Sequence, residues 1–210
     1  MIKKRLKELL KKQLPGKEAH IDMAPKTRNR PFRNFEPAEN PRNSAVMIIL
    51  SEDNDGDLQV ILTLRSAHLS NHSRQISFPG GRADLGETPE ETALRETHEE
   101  IGLEPEKIDV LGSLSDLFVP PSRSLIQPIV GWTEVKNNFV INPDEVEEIF
   151  FVKIKDMIHN DSVKFQKRIF NKKEVDIPFW DVHHEVPLWG ATAMIMSELL
   201  DIIRSTDIFN

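Results

Sequence analysis

The chain has 210 residues, no cysteine and a formal net charge of −7. This length fits one domain of ordinary size with an accessory segment, the lack of cysteine excludes disulfides, thiolate zinc sites and cysteine nucleophiles, and the acidic balance argues against a nucleic-acid partner. A cysteine-free composition permits a reducing compartment, and we expect a cytoplasmic protein.

The first 43 residues differ in composition from the rest of the chain. Residues 1–14, MIKKRLKELLKKQL, place apolar side chains at helical spacing opposite lysines and arginines, which predicts a basic amphipathic helix. We favour packing of this leucine stripe on the domain, and the alternative is a helix on a membrane surface. Five prolines between residues 15 and 43 predict an extended arm. We therefore expect a helix and proline-rich arm at 1–43 and the main domain at 44–210, with no membrane partner.

Apolar runs of strand length follow residue 44. The runs AVMIIL (45–50) and LQVILTLR (58–65) flank the turn-rich segment EDNDGD and predict a hairpin or two neighbouring strands. Later apolar stretches predict further strands and one last helix, at 108–118, 125–132, 146–154 and 188–204. This mixture predicts an α+β fold, with a mixed sheet and helices on its two faces.

Start and stop signals for a helix frame residues 88–102. Thr88 is the predicted N-cap, Pro89 occupies the first helical position, and Glu91 completes a capping box. Gly102 supplies the stop. The sequence therefore predicts one short helix with defined ends.

Three glutamates of this predicted helix, Glu96, Glu99 and Glu100, stand at i, i+3 and i+4 and converge on one helical face. Like charges at this spacing repel each other. A hard divalent ion such as Mg²⁺, coordinated by carboxylate oxygens, water and substrate phosphate, would relieve that repulsion. Arg95 lies next to the three and could orient one carboxylate or hold an anionic substrate. A solvated acidic helix face is the alternative interpretation.

The segment GGRADLGETPEETALRETHEEIGL (80–103) resembles the Nudix box. Eight residues match that family's pattern in register: Gly81, Glu87, Arg95, Glu96, Glu99, Glu100, Gly102 and Leu103. Thr97 stands where an apolar residue is usual, and its methyl group can still pack there. The resemblance implies the α/β/α sandwich of that family and a hydrolase that depends on Mg²⁺ or Mn²⁺.

The same resemblance implies roles for individual residues. The implied metal contacts are Glu96, Glu99, Glu100, the backbone carbonyl of Gly80 and, through water, Glu87. Arg95 would orient a carboxylate. Nudix enzymes often use another glutamate from a later segment as general base, and our candidate is Glu145 in PDEVEEIF. Glu147 and Glu148 compete with it, and all three could instead be surface charges.

A second motif lies upstream of the box, in residues 61–81. It resembles the sequence that marks the coenzyme A pyrophosphatase branch of the Nudix family, through Leu62, Thr63, Arg65, Ser66, Phe78, Pro79, Gly80 and Gly81. Two positions depart: Ser70 stands where the branch has its second arginine, and Arg74 stands where it has glycine. Either Arg74 supplies the missing cation, or this loop has lost the site for the 3′-phosphate of coenzyme A and accepts another diphosphate.

We expect arginines to contact the substrate phosphates, because a guanidinium binds phosphate oxygens in a fork. The candidates are Arg65, Arg74, Arg82 and Arg123. The predicted reaction cleaves coenzyme A or its derivatives to 3′,5′-ADP and 4′-phosphopantetheine products. The alternatives are hydrolysis of ADP-ribose, NADH or a nucleoside triphosphate, and a catalytically silent Nudix-fold module that binds a nucleotide or a regulatory partner. The expected partner is a small molecule with a diphosphate linkage, and a homodimer stays open.

Overall fold

The structure, a computed structural model, describes residues 2–28, 30–32, 36–37, 39–69, 73–159, 162–170 and 172–205. Ser70, one of the two departures from the coenzyme A motif, lies outside these residues. The helices within them are α1 (Ile2–Leu9), α2 (Lys17–Asp22), α3 (Pro89–Ile101), α4 (Ile154–Met157) and α5 (Gly190–Arg204), with a 3₁₀ turn at Pro105–Lys107. The strands are β1 (Lys26–Thr27), β2 (Arg30–Pro31), β3 (Arg42–Glu52), β4 (Leu58–Arg65), β5 (Ile76–Ser77), β6 (Gly80–Arg82), β7 (Asp109–Ser113), β8 (Leu117–Val119), β9 (Ser124–Trp132), β10 (Val146–Lys153), β11 (Val163–Phe170), β12 (Lys173–Trp180) and β13 (Leu188–Trp189).

The central sheet has the strand order β10-β4-β3-β9-β7, and the short strands β5, β6 and β8 pair with β4, β3 and β9. Strands β3 and β4 pair antiparallel with Ile49 opposite Ile61, which confirms that the two apolar runs are neighbouring strands. Strands β3 and β9 run parallel. The sheet is therefore mixed, as the sequence predicted.

Helices cover both faces of this sheet. Along β3, Met47 and Ile49 pack in the same cluster as residues of α3, whereas Ile48 and Leu50 pack in the cluster that contains α5. A strand buried on both faces is apolar at successive positions, and this explains why 45–50 is a continuous apolar run. The layers of helix, sheet and helix confirm the predicted α+β sandwich.

A second sheet was not predicted from the sequence. It has the order β11-β12-β1-β2, with β13 beside β12. Strand β11 has no buried residue and exposes Phe165 and Ile169, so it lacks the buried face that would make its pattern conspicuous. Phe170 of β11 and Trp189 of β13 line the cavity described below.

The N-terminal segment packs on the domain. Leu6 and Leu9 of α1 are buried, and Lys3 forms an ion pair with Asp109 of β7 at 3.0 Å. The leucine stripe is therefore covered by protein, as the favoured interpretation predicted. Among the described residues, no helix combines the length and the apolar character that crossing a membrane requires.

The proline-rich arm differs in part from the predicted extended connector. Residues 17–22 form α2, which contacts α5, and His20 of α2 is buried with its Nε2 2.9 Å from the Glu198 carboxylate. The prolines on either side of this short helix favoured an extended segment. Packing on α5, which the local sequence does not indicate, stabilises the helix. The division of the chain at residue 43 stays a prediction.

Candidate metal and substrate site

Helix α3 has the ends that the sequence predicted. The Thr88 hydroxyl accepts a hydrogen bond from the Glu91 amide at 3.3 Å, and the Glu91 carboxylate accepts one from the Thr88 amide at 2.8 Å. Gly102 ends the helix with a φ of 67°, in the left-handed region. These ends fix the rotation of the helix and so decide which of its side chains face the sheet.

Three carboxylates meet at the C-terminal half of α3. Glu96, Glu100 and Glu145 each place an oxygen within 4.8 Å of the other two. Glu100 is 1% exposed, and its carboxylate oxygens make no hydrogen bond of ordinary geometry with the described residues, although the Gly80 amide and Arg65 lie near enough to favour its ionised form. Burial raises the pKa of Glu100 to about 8, although the nearby charge of Arg65 opposes this shift. Burial also raises the pKa of Glu96, against hydrogen bonds from Arg95.

This donor set fits a hard divalent cation. Ionised carboxylates this close repel one another, and a buried carboxylate without a hydrogen-bond donor is costly unless a cation or a proton neutralises it. Mg²⁺ and Mn²⁺ prefer carboxylate oxygens. The two buried carboxylate oxygens of Glu100, which make no hydrogen bond of ordinary geometry with the described residues, therefore fit the role of metal ligands.

Glu145 comes to this site through contacts that are distant in sequence. The amides of Val140 and Asn142 donate to carbonyl oxygens of Ile101 and Glu100 at 3.0 Å each, which fixes the loop before β10 to the end of α3. The amide of Ser66 then donates to the Glu145 carbonyl at 2.9 Å. The beginning of β10 is therefore held beside the carboxylates of α3.

The other two candidates for the general base lie elsewhere. Glu147 forms an ion pair with Arg74 at 2.9 Å, and the Glu148 carboxylate lies 3.2 Å from Nε2 of His183. A register shift between Val146 and Glu148 in the pairing of β10 with β4 accompanies this arrangement. Of these three described glutamates, Glu145 is the one that joins the cluster.

Arg95 contacts three carboxylates at once. Its Nε lies 2.6 Å from Glu87, and its Nη1 lies 2.8 Å from Glu96 and 3.1 Å from Glu99. Hydrogen bonds from Arg95, followed by those from the Asp84 amide and a threonine hydroxyl, lower the pKa of Glu87 to about 2. Arg95 thus holds Glu96 in a fixed position next to the cluster.

Two predicted metal contacts stand apart from the cluster. Glu99 is half exposed and points toward Arg95, and the Glu87 carboxylate is occupied by hydrogen bonds. Nothing in this geometry places either residue on a metal, and their metal contacts stay predictions. The same holds for the carbonyl of Gly80.

The two glycines of β6 allow the sheet to approach α3. A Cβ atom on Gly81 would overlap the Glu96 carboxylate, and one on Gly80 would overlap the backbone of β3. Gly80 also has a φ of 153°, a conformation that side chains disfavour. Both glycines of the Phe-Pro-Gly-Gly segment are therefore required by close packing at the site.

A cavity of about 610 Å³ is lined by Arg65, Gly80 and Gly81, but by none of the three carboxylates of the cluster. Its walls are mostly apolar, with side chains such as Val46, Phe78 and Met194, and Arg42, Arg65 and Arg82 also line it. Arg65 connects the two features, because its Nη1 lies 3.5 Å from the Glu100 carboxylate. Arg65 therefore lies between the cavity and the carboxylate cluster.

The predicted phosphate-binding arginines divide into two groups. Arg65 and Arg82 line the cavity, whereas Arg74 and Arg123 do not. Arg74 instead forms ion pairs with Glu147 and Glu185. The sequence analysis did not name Arg42, which lies upstream of both motifs. The available signal was that Arg42 and Ser44 are two residues apart at the start of a strand, so that both side chains point to the same face.

Known proteins resemble this chain in sequence and in fold. The family model described as NUDIX domain matches residues 41–173. The chain is 34% identical over 186 residues to Nudix hydrolase 3 of Caenorhabditis elegans, covering 80% of this chain and 76% of that protein. It is 36% identical over 115 residues to the peroxisomal coenzyme A diphosphatase NUDT7 of Mus musculus, covering 54% of this chain and 48% of that protein. A solved Nudix hydrolase of M. smegmatis, RenU, has a similar fold, with a TM-score of 0.57 at 18% identity over 82% of this chain and 95% of that one.

Proposed function

The chain belongs to the NUDIX family, and from that premise we propose that it uses Mg²⁺ or Mn²⁺ to cleave the diphosphate bond of coenzyme A or its derivatives. The products would be 3′,5′-ADP and a 4′-phosphopantetheine compound. One observation supports this most directly: Glu100 is buried in a cluster with Glu96 and Glu145, and its carboxylate lies 3.5 Å from Arg65, which lines the neighbouring cavity. Arg65 belongs to the coenzyme A motif, and Glu100 belongs to the Nudix box.

The residues divide the chemistry between them. Glu96 and Glu100 would hold the metal, which would screen the diphosphate charge and acidify a bound water. Arg95 orients Glu96 through its hydrogen bond, and Arg65 can contact a phosphate oxygen from the cavity side. Glu145, which lies with these two carboxylates, would be the general base that takes the proton of the attacking water.

The substrate assignment rests on the upstream motif and on the similarity to the mouse coenzyme A diphosphatase. One observation favours the alternative substrates, ADP-ribose, NADH or a nucleoside triphosphate. Arg74 pairs with Glu147 and Glu185 and does not line the cavity, which argues against its replacing the arginine that is missing at position 70. The 3′-phosphate of coenzyme A therefore needs another cation. Cytoplasmic location and a homodimer stay predictions.

Product analysis by liquid chromatography and mass spectrometry tests the proposal. The purified protein with Mg²⁺ or Mn²⁺ is given coenzyme A, acetyl-CoA, ADP-ribose, NADH and nucleoside triphosphates in parallel. We expect 3′,5′-ADP from coenzyme A, and a loss on the order of 100-fold or more for Glu100→Gln because it removes a metal ligand. The matched control is Glu147→Gln, an exposed glutamate outside the cluster, which should keep its activity.

Each outcome points to one conclusion. Cleavage of ADP-ribose or a nucleotide without cleavage of coenzyme A would support the proposed hydrolase activity and refute coenzyme A as the substrate. Full activity of Glu100→Gln would refute the metal site. No cleavage of any compound would favour the silent binding module.

A further inference from the structure

Two arginines at the cavity share one face of the central sheet. Ser44 of β3 lies directly opposite Arg82 of β6, and Arg42 precedes Ser44 by two residues. Side chains two residues apart on a strand point to the same face, so Arg42 and Arg82 are diagonal neighbours with Cβ atoms roughly 7–8 Å apart. Both side chains are exposed, and both line the cavity.

Neither of these two guanidinium groups has an ion-pair partner among the described residues. The other arginines near the site differ in this respect: Arg65 pairs with Glu100, Arg74 pairs with two glutamates, and Arg95 pairs with three. Like charges at neighbouring positions of a sheet face destabilise it. In a chain with a net charge of −7, two adjacent cations without carboxylates are therefore an unusual feature that an anion would stabilise.

The surroundings of the pair suit a phosphate group. Ser124 of β9 lies in register with Arg42, and both Ser44 and Ser124 line the same cavity. The patch thus offers two guanidinium forks and two hydroxyl donors on one face. Arginine forks bind phosphate oxygens in pairs, and such charge-assisted hydrogen bonds are stronger than neutral ones.

This patch is distinct from the carboxylate cluster. The diphosphate to be cleaved must lie at Glu96, Glu100 and Glu145, so a phosphate at Arg42 and Arg82 would be a second one on the same molecule. Resting on the proposed function, we propose that Arg42 and Arg82 bind the terminal 3′-phosphomonoester of a coenzyme A substrate. They would supply the cation that position 70 lacks and that Arg74 does not provide.

Binding of product fragments tests the proposal without relying on turnover. Isothermal titration calorimetry compares 3′,5′-ADP with 5′-AMP, which differ by the 3′-phosphate alone, in one Mg²⁺ buffer. We expect the wild type to prefer 3′,5′-ADP, and Arg42→Gln or Arg82→Gln to reduce that preference about 10-fold or more, since a hydrogen bond to a charged group is lost. Affinity for 5′-AMP should stay the same in Arg42→Gln, and Arg42→Lys should retain part of the preference.

Two further variants make the test specific. Lys107→Gln removes an exposed positive charge outside the cavity and should leave the preference unchanged. Equal binding of both ligands by the wild type, or a preference that survives in Arg42→Gln and is lost in Arg74→Gln, would overturn the proposal. Hydrolysis of coenzyme A is measured on the same samples. A preference for 3′,5′-ADP without that hydrolysis would refute the proposed function and leave the phosphate site standing.

Discussion

Replacing Glu100 by glutamine should stabilise the metal-free protein at alkaline pH. The carboxyl group is buried, and its pKa of about 8 in the folded chain lies above its ordinary value of 4.5. The folded chain therefore holds a proton that the unfolded chain releases between these pH values, and stability falls as the pH rises through this interval. Each pH unit corresponds to about 1.4 kcal/mol, so the loss is on the order of 4 kcal/mol by pH 8. Glutamine is neutral throughout and escapes this loss.

Urea denaturation in EDTA at pH 5, 6, 7 and 8 measures this effect. The free energy of unfolding of Glu100→Gln minus that of the wild type should increase with pH, by several kcal/mol over the series. Millimolar Mg²⁺ should remove much of the increase, because an ion that binds only the folded wild type stabilises it. Glu99→Gln is the matched control, since the half-exposed Glu99 keeps its contact with water. If the free energies of unfolding of Glu100→Gln and the wild type changed in parallel with pH, a raised pKa of Glu100 would be refuted.

Two more substitutions separate the site from the scaffold. Gly81→Ala should lower kcat/KM about 100-fold, because the new methyl group displaces the Glu96 carboxylate. The circular dichroism spectrum should stay that of the wild type. A kcat/KM within about threefold of the wild type would show that Glu96 can shift without loss of activity. Glu198→Ala should lower the free energy of unfolding by about 3–5 kcal/mol, because it leaves the buried His20 without its partner; a urea-denaturation loss below about 1 kcal/mol would contradict that role.

The elements predicted correctly are those with local signals. The ends of α3 follow from the capping residues, and β3 and β4 follow from apolar runs that are buried on both faces. Helix α2 and the hairpin of β11 and β12 escaped prediction because their stabilising contacts come from other elements. In β11, no residue is buried and the apolar Phe165 and Ile169 are exposed, so apolar side chains do not mark a face toward the core.

The site shows the same division. The spacing of four residues on α3 correctly predicted that Glu96 and Glu100 lie together, since residues four apart share a helical face. It could not show that Glu99 turns toward Arg95, because both directions are open to a half-exposed side chain. The arrival of Glu145 depends on backbone hydrogen bonds to the end of α3, which a sequence pattern does not contain.

Two buried glutamates of this chain differ in a way that separates structure from function. Glu198 is fully buried, yet hydrogen bonds from His20 and from the amides of Gly16 and Ser115 satisfy its carboxylate. Burial alone would raise the pKa of Glu198, and these hydrogen bonds outweigh it, so that the pKa lies below its ordinary value. Glu100 is as deeply buried, but the nearby Arg65 and Gly80 amide do not outweigh its burial, and its pKa is raised. Had Glu100 been satisfied in the same way, a metal would have to displace those donors before it could bind. Because the Glu100 oxygens make no hydrogen bond of ordinary geometry within the described part of the chain, both are available to a cation, and the metal-free protein is less stable as a result.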